Sequence, residues 1–429
     1  MKQFILSLIG IMVVGNLMAQ TPGRIHTSGK YILGPCGDTL HLKGINYAPY
    51  NWGYDVNEQR ISEIAQSGAN AVRLPWYWSN PGADVYYNYV ALDSIISKCI
   101  QFDLIPILEL HDFTCENNPS DLITGSGWWT NASVFPILQK YRHSIIVNIA
   151  NEALYVNWTG NQAAALTSYQ NTYETIINNL RNVTGFDFPI MIDAPDCGQN
   201  SDVFITSNTA NQLINTDPEH NLIFSAHAYW YAYANNDSTQ MANKINAVLA
   251  AGIPFVLGEI ANQQDDQSMC QYNLNYQPLL RYCEVNKVNW LAWSWDRDGC
   301  PQRQLSTNGL FASLTPYGND LVNNPDYGLN TKPAAKSHFL VHGACESTAS
   351  LSEMEMLSAT VFPNPNTGIF RVLPGDHFHV GMTCYDLLGN EIALSDLGSG
   401  TYQIQSPPGM YLLKLHTPNQ EAIVRIVVR

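Results

Sequence analysis

A chain of 429 residues, 45% hydrophobic and only 13% charged, is too long for one ordinary domain and too apolar to be disordered. Its 21 Lys and Arg face 36 Asp and Glu, a formal charge of -15. With no basic cluster to track phosphates, this balance argues against a nucleic-acid partner and speaks for solubility.

The chain opens with MKQFILSLIGIMVVGNLMAQ, where Lys2 precedes an apolar stretch from Phe4 to Val14 and small or polar residues follow near Ala19-Gln20. Residues 1–20 read as a secretory signal peptide, too short and wrongly flanked for a membrane anchor. No second apolar run is long enough to cross a bilayer. The following RIHTSGKYILGPCGDTLHL (Arg24 to Leu42) reads as a β-hairpin placed to cap one end of the next domain.

Eight apolar runs then alternate with helix-like segments. They are LHLKGINYA (Leu40–Ala48), NAVRLPW (Asn70–Trp76), IPILELHD (Ile105–Asp112), IIVNIANEA (Ile145–Ala153), PIMIDAP (Pro189–Pro195), NLIFSAHAY (Asn221–Tyr229), IPFVLGEIA (Ile253–Ala261) and NWLAWSWD (Asn289–Asp296). Near-continuous Ile, Val and Leu fits parallel strands covered on both faces. Between them VALDSIISKCIQF places Leu92, Ile95, Ile96 and Cys99 on one helical face, and ALTSYQNTYETIINNL and YQPLLRYCEVN read the same way. The alternation predicts an α/β fold, a (β/α)8 TIM barrel.

After TKPAAKSHFLVHG the composition changes. Residues 344–359 are small, polar and acidic, a linker, and residues 360–429 show short alternating strands with turns, a small all-β sandwich. The domain reading is therefore signal peptide 1–20, barrel 21–343, linker 344–359 and terminal β domain 360–429. Nine cysteines leave at least one unpaired if an exported chain oxidises the rest, and their connectivity is not readable.

In such a barrel the C-terminal strand ends carry the active site. Arg73 stands near the end of the second run, Glu109, His111 and Asp112 at the third, and Asn151-Glu152 at the fourth. His227 and Tyr229 end the sixth, Glu259 the seventh, and Trp293 and Trp295 the eighth. Two glutamates from opposite sides of one barrel suit glycoside hydrolysis, where one carboxylic acid protonates the leaving oxygen and one carboxylate attacks or activates water. Trp clusters beside the strand ends suit the flat face of a sugar.

On these residues, the chain from about Gly44 to Trp295 resembles glycoside hydrolase family 5, within the clan of retaining (β/α)8 glycosidases. The resemblance implies Glu152 as acid/base, Glu259 as nucleophile and Asn151 as partner of the sugar 2-hydroxyl. It implies Arg73 as support for the nucleophile, His111, His227 and Tyr229 as site residues, and Trp293 as platform. LELHDFTC, NIANEA, IDAPDCGQN and WLAWSWD look like bacterial endo-β-1,4-mannanases. Ile260-Ala261 after the nucleophile and DRDGCPQRQ (Asp296–Gln304) after the eighth strand depart from their pattern. DRDG lacks the spaced oxygens and final Glu of a calcium loop.

The resemblance implies a secreted retaining endo-β-1,4-mannanase acting on a polysaccharide, with no metal or organic cofactor. An endo-β-1,4-glucanase is the alternative, and a non-catalytic glycan-binding barrel stands behind it. The Glu259 charge is expected to raise the Glu152 pKa. The tail phrases VFPNPNTGIFRV, YDLLGNEI, GMYLLKL and AIVRIVVR resemble the C-terminal sorting domain of the type IX secretion system of Bacteroidetes-type bacteria. That implies the secretion machinery as partner and a secreted or surface-attached product.

Overall fold

The computed structural model describes residues 23–48, 60–78, 89–229, 237–264, 270–345, 359–374, 381–386, 390–416 and 421–429. The expected signal peptide and most of the expected linker lie outside these residues. One compact unit spans Ala19–Glu346, and a second holds Ser347–Arg429.

The first unit is a closed, all-parallel barrel of eight strands. In chain order these are Lys43–Asn46, Ala71–Trp76, Ile105–Leu110, Ile146–Asn148, Ile190–Asp193, Leu222–Ala228, Phe255–Ile260 and Asn289–Ala292. They are called the first to eighth strands below. All eight expected runs enter the barrel. The fourth is much shorter than its apolar run, because Ile149, Ala150 and Ala153 stay buried after the ladder has ended.

Side chains alternate across a strand. One set, Ala71, Ile105, Ile107, Ile146, Met191, Ile223, Val256 and Leu291, forms a single apolar cluster with Ile25, Ile32, Leu40 and Leu42. This is the barrel interior, plugged at its N-terminal end. The alternate set, including Val72, Leu74, Leu108, Val147 and Ile192, packs in the larger cluster with the helices. Helix Gln162–Arg181 is typical: the Asn161 side chain caps Ala164 N, and Tyr169, Tyr173, Ile176, Ile177 and Leu180 form its buried stripe.

The expected capping hairpin is a three-stranded antiparallel sheet, His26–Ser28, Tyr31–Leu33 and Thr39–Leu40. Its third strand pairs Ile32 with Leu40, which aims both at the plug. A Cys36–Cys345 disulfide joins this sheet to the far end of the unit. Cys115–Cys197 and Cys270–Cys300 are also bridged, and Cys99, Cys283 and Cys384 are buried free thiols.

The second unit is all-β. One antiparallel sheet holds Ala359–Phe362, Ile369–Pro374, Thr401–Ile404 and Leu394–Gly398. The other holds Glu391–Ile392, Gly381–Tyr385, Gly409–His416 and Glu421–Val428. Val361, Phe370, Val372, Ile404, Leu413, Leu415 and Ile426 fill the core of this sandwich.

Candidate active site

Directly above the apolar plug the inward positions turn polar. Asn46, Arg73, Glu109, Asn148 and Asp193 each stand two residues after an inward Gly44, Ala71, Ile107, Ile146 or Met191. Arg73 is fully buried at the hub of this layer. Its Nε donates to Asn148 Oδ1 (2.9 Å) and its Nη1 to Asn46 Oδ1 (3.1 Å) and Glu259 Oε1 (2.8 Å). Its Nη2 donates to Asn151 Oδ1 (2.7 Å) and Asp193 Oδ2 (3.2 Å). Burial works against the guanidinium charge, but Glu109, Asp193, Glu259 and Glu152 outweigh it and hold the group charged.

The expected residues converge around that hub. Asn151 and Glu152 follow the fourth strand in a loop, with Glu152 at a left-handed φ of 49°. Asn151 Nδ2 donates to Thr114 Oγ1 (3.0 Å), and among the described residues its second amide hydrogen is left for a sugar hydroxyl. Glu259 lies where the seventh strand shifts register between Leu257 and Glu259. It accepts from Arg73 at Oε1 and from the Tyr229 hydroxyl at Oε2 (2.7 Å). His227 Nδ1 lies 2.6 Å from Glu152 Oε1 and 3.5 Å from Glu259 Oε1. A Glu152 oxygen, a Glu259 oxygen and a His227 ring nitrogen all lie within 4.8 Å of one another. That spacing would suit a cation, but Arg73 and Tyr229 already hold both Glu259 oxygens.

The two carboxyls differ in support. Burial pushes Glu152 up to about 8, Asp193 and Glu109 push the same way, and His111 and Arg73 oppose. The leading cause is therefore burial rather than the Glu259 charge. Burial also raises Glu259, against the pull of His227 and Arg73. Glu259 receives two donors, one of them a cation, while among the described residues the Glu152 carboxyl meets the His227 imidazole and the oxidised Cys115 sulfur, 3.7 Å from Oε2. A proton shared by this pair belongs on Glu152. Burial lowers the His227 pKa, so its ring is neutral. Burial opposes charge on His111 too, but Glu109 outweighs it and raises that pKa, with Nδ1 and Glu109 Oε2 at 3.1 Å.

The tryptophans differ in their neighbours more than in depth, since Trp293 is itself buried. Trp293 stacks on His111 with centroids 6.0 Å apart and planes at 10°, and Tyr77 meets His111 edge-on. Trp78 is exposed, with its backbone N–H on Asp112. Trp76, Trp128, Trp129, Trp290 and Trp295 are buried core. Sequence reasoning missed Asn46, Asn148 and Asp193 as members of the polar layer, and missed the ties that hold the site. Asp196 accepts from the backbone of Val156, Asn157 and Trp158, and so joins the loop after the fifth strand to the one carrying Glu152. Cys115–Cys197 ties the third-strand loop to the same turn, whose Gly198 packs on Glu152 and His227. The quoted IDAPDCGQN contained Asp193 and Asp196, but nothing in it marks which side chains point inward.

Residues 360–429 match the secretion system C-terminal sorting domain, so the chain carries a signal for export by that route. Among the described residues no helix is long and apolar enough to cross a membrane. The mannan endo-1,4-beta-mannosidase of Cellvibrio japonicus (strain Ueda107) is 30% identical over 332 residues, 76% of this chain and 72% of that protein. The protein of the same name from Salipaludibacillus agaradhaerens is 26% identical over 70% of this chain and 91% of its own. The mannanase catalytic domain from Streptomyces sp. SirexAA-E superposes with a TM-score of 0.62 at 25% identity, covering 75% of this chain and 97% of that one. Residues 34–299 match the family described as Cellulase (glycosyl hydrolase family 5), and with a barrel of this form around these paired carboxyls the chain belongs to that family.

Proposed function

We propose that this enzyme hydrolyses internal β-1,4-mannosidic bonds of plant mannans with net retention of configuration. The observation that carries the reading is the unequal support of two carboxyls whose oxygens approach within 4.8 Å. Retaining enzymes set their carboxyls about 5–5.5 Å apart, inverting ones about 6.5–9.5 Å. The mannanase names of the relatives support the choice of mannan.

Glu152 starts protonated and Glu259 ionised. With neutral His227 donating Nδ1–H to Glu152 Oε1, the acidic proton sits on Oε2. It moves to the glycosidic oxygen as that oxygen leaves, while a Glu259 oxygen attacks the anomeric carbon and forms a glycosyl ester. Glu152, now a carboxylate, then takes a proton from water, whose oxygen displaces Glu259. Arg73 and Tyr229 hold the nucleophile's oxygens in place, and Asn151 offers its free amide hydrogen to the 2-hydroxyl. Trp293 and His111 supply the flat wall against the sugar. The chain is read as signal peptide 1–20, barrel 21–343, linker 344–359 and sorting domain 360–429, which delivers the barrel outside the cell, free or surface-held.

The test uses Glu152→Ala and Glu259→Ala with an aryl glycoside whose leaving group needs little protonation. Azide should rescue Glu152→Ala and give the β-glycosyl azide, and should give the α product with Glu259→Ala. Failure of the β rescue, or an inverted first product from the wild type by NMR, refutes the roles. Rates on mannan, glucomannan and carboxymethylcellulose separate mannanase from glucanase, an activity named alongside mannanase in a relative from Caldicellulosiruptor saccharolyticus.

A further inference from the structure

The loop after the eighth strand is where the sequence departs from the mannanase pattern, and the mechanism above does not use it. In the structure it is built around one carboxylate. The Asp298 side chain is 2% exposed and receives four donors. Arg303 Nε reaches Oδ1 and Nη2 reaches Oδ2, each at 2.8 Å. The Cys300 backbone N–H reaches Oδ1 at 2.7 Å, and the Trp293 indole N–H donates to Oδ2. The Arg303 guanidinium, its side chain 8% exposed, lies over the Tyr229 ring with 5.6 Å from its central carbon to the centroid. Tyr229 in turn donates to Glu259 Oε2.

The loop that carries this cluster is itself anchored. Cys300 is bridged to Cys270, Ser294 N donates to Arg303 O, and Asn262 Nδ2 donates to Gln302 O. Asp298 therefore touches the stacking wall directly and the nucleophile through two intermediates, Arg303 and Tyr229. A planar bidentate pair fixes the guanidinium in orientation as well as position, and a cation over a phenol ring holds that ring.

We propose that Asp298 and Arg303 are a positioning pair for glycoside cleavage, in which Asp298 sets the Trp293 indole against the sugar and Arg303 holds Tyr229 on the nucleophile. This rests on Glu259 being that nucleophile. Arg303 also adds a positive charge to the set that faces Glu259. That set comprises Arg73 from the second strand, His111 after the third, Glu152 from the loop after the fourth, and His227 with Tyr229 from the sixth, while Glu109 and Asp193 face Arg73 beside it. Arg303 and Glu259 lie close enough to interact electrostatically.

The two members predict different kinetic failures. Asp298→Asn loses the bidentate pair and loosens the indole, so KM for manno-oligosaccharides should rise more than kcat falls. Arg303→Met removes a charge that favours ionised Glu259, so the acid limb of kcat/KM should move to higher pH. Its kcat/KM at the optimum should fall about tenfold to a hundredfold. Arg303→Lys keeps the charge but not the fork, so it should restore the acid limb while remaining slower than wild type. If Arg303→Met fails to fold, Arg303→Lys and Asp298→Asn still decide the question. An acid limb and a kcat-to-KM balance unchanged from wild type in the folded variants, with only a lower melting temperature, overturns the proposal. Azide products from Glu259→Ala, measured alongside, show whether the nucleophile assignment or only the positioning pair has failed.

Discussion

Replacing Glu152 with Gln should abolish hydrolysis and stabilise the fold, and the size of the gain follows from where the carboxyl titrates. Folding raises that pKa from an ordinary 4.5 to about 8. Below pH 4.5 both folded and unfolded chains hold the proton and the group has no effect on stability. Between the two values the unfolded chain releases the proton and the folded one keeps it, so stability falls as pH rises. Above 8 the penalty is complete. At 1.36 kcal/mol per pKa unit it amounts to roughly 3 kcal/mol at pH 7, roughly 5 at pH 9 and under about 1 at pH 5. Gln cannot ionise and fills the same space, so Glu152→Gln should recover that amount. The assay is guanidinium chloride unfolding followed by Trp fluorescence, which reports on the barrel because residues 360–429 contain no Trp. A gain that grows from pH 5 to pH 9 is expected. A variant no more stable than wild type at pH 7, or a gain independent of pH, would refute the claim that burial keeps Glu152 protonated.

Wild-type kcat/KM should fall as pH rises through about 8, because the acid is then lost, and a pH–rate profile on soluble mannan locates that limb. Tyr229→Phe removes a 2.7 Å hydrogen bond to a carboxylate. About 1.5–3 kcal/mol, or tenfold to a hundredfold in kcat/KM, should be lost, with the acid limb moved up; an unchanged profile would remove Tyr229 from the nucleophile's support. Arg73→Met strips the shared cation from Glu109, Asp193 and Glu259 and should cost about 3–5 kcal/mol in chemical denaturation, more than Arg73→Lys. Cys36→Ser opens a bridge between residues 309 apart and should lower barrel stability by up to about 5 kcal/mol while leaving kcat/KM on mannan unchanged.

The barrel was legible because its strands are covered on both faces, so each one reads as an apolar run, and the helices between them carry one buried stripe. Legibility failed where length or burial broke that code. Thr39–Leu40 is too short a strand to show a pattern. The fourth run overshot its strand because burial continues past Asn148, where Ile149 N closes the ladder on Met191 O and Asn151 N turns to Leu110 O. The chemistry at strand ends was legible for the same reason that the strands were: a Glu or His after an apolar run stands out. Asn148 and Asp193 did not stand out, because in a strand apolar on both faces nothing in the sequence says which alternate set points inward. The three bridges and the Asp298–Arg303 pair depend on which loops meet above the barrel, and spacing along the chain does not encode that.

The polar layer also explains why one proton suffices to make the two carboxyls unlike. Four carboxyls, of Glu109, Glu152, Asp193 and Glu259, gather around one guanidinium. Arg73 reaches Glu259 at 2.8 Å, Asp193 at 3.2 Å and Glu109 at 3.6 Å, whereas no ion pair joins it to Glu152. In a buried, weakly screened setting the anion with the least direct support is the one that takes a proton. Glu152 sits beyond the strand ladder, in the loop after Asn151, outside the reach of the guanidinium fork. Its backbone N–H faces Asp193 Oδ2 at 3.3 Å, so the neighbouring carboxylate bonds its main chain, and its side chain has the neutral His227 imidazole in place of a cation. The acid and the nucleophile are the same residue type under the same burial. Their difference comes from which of them the inward-pointing Arg73 can touch, and that is set by the two-residue alternation of the strand that carries it.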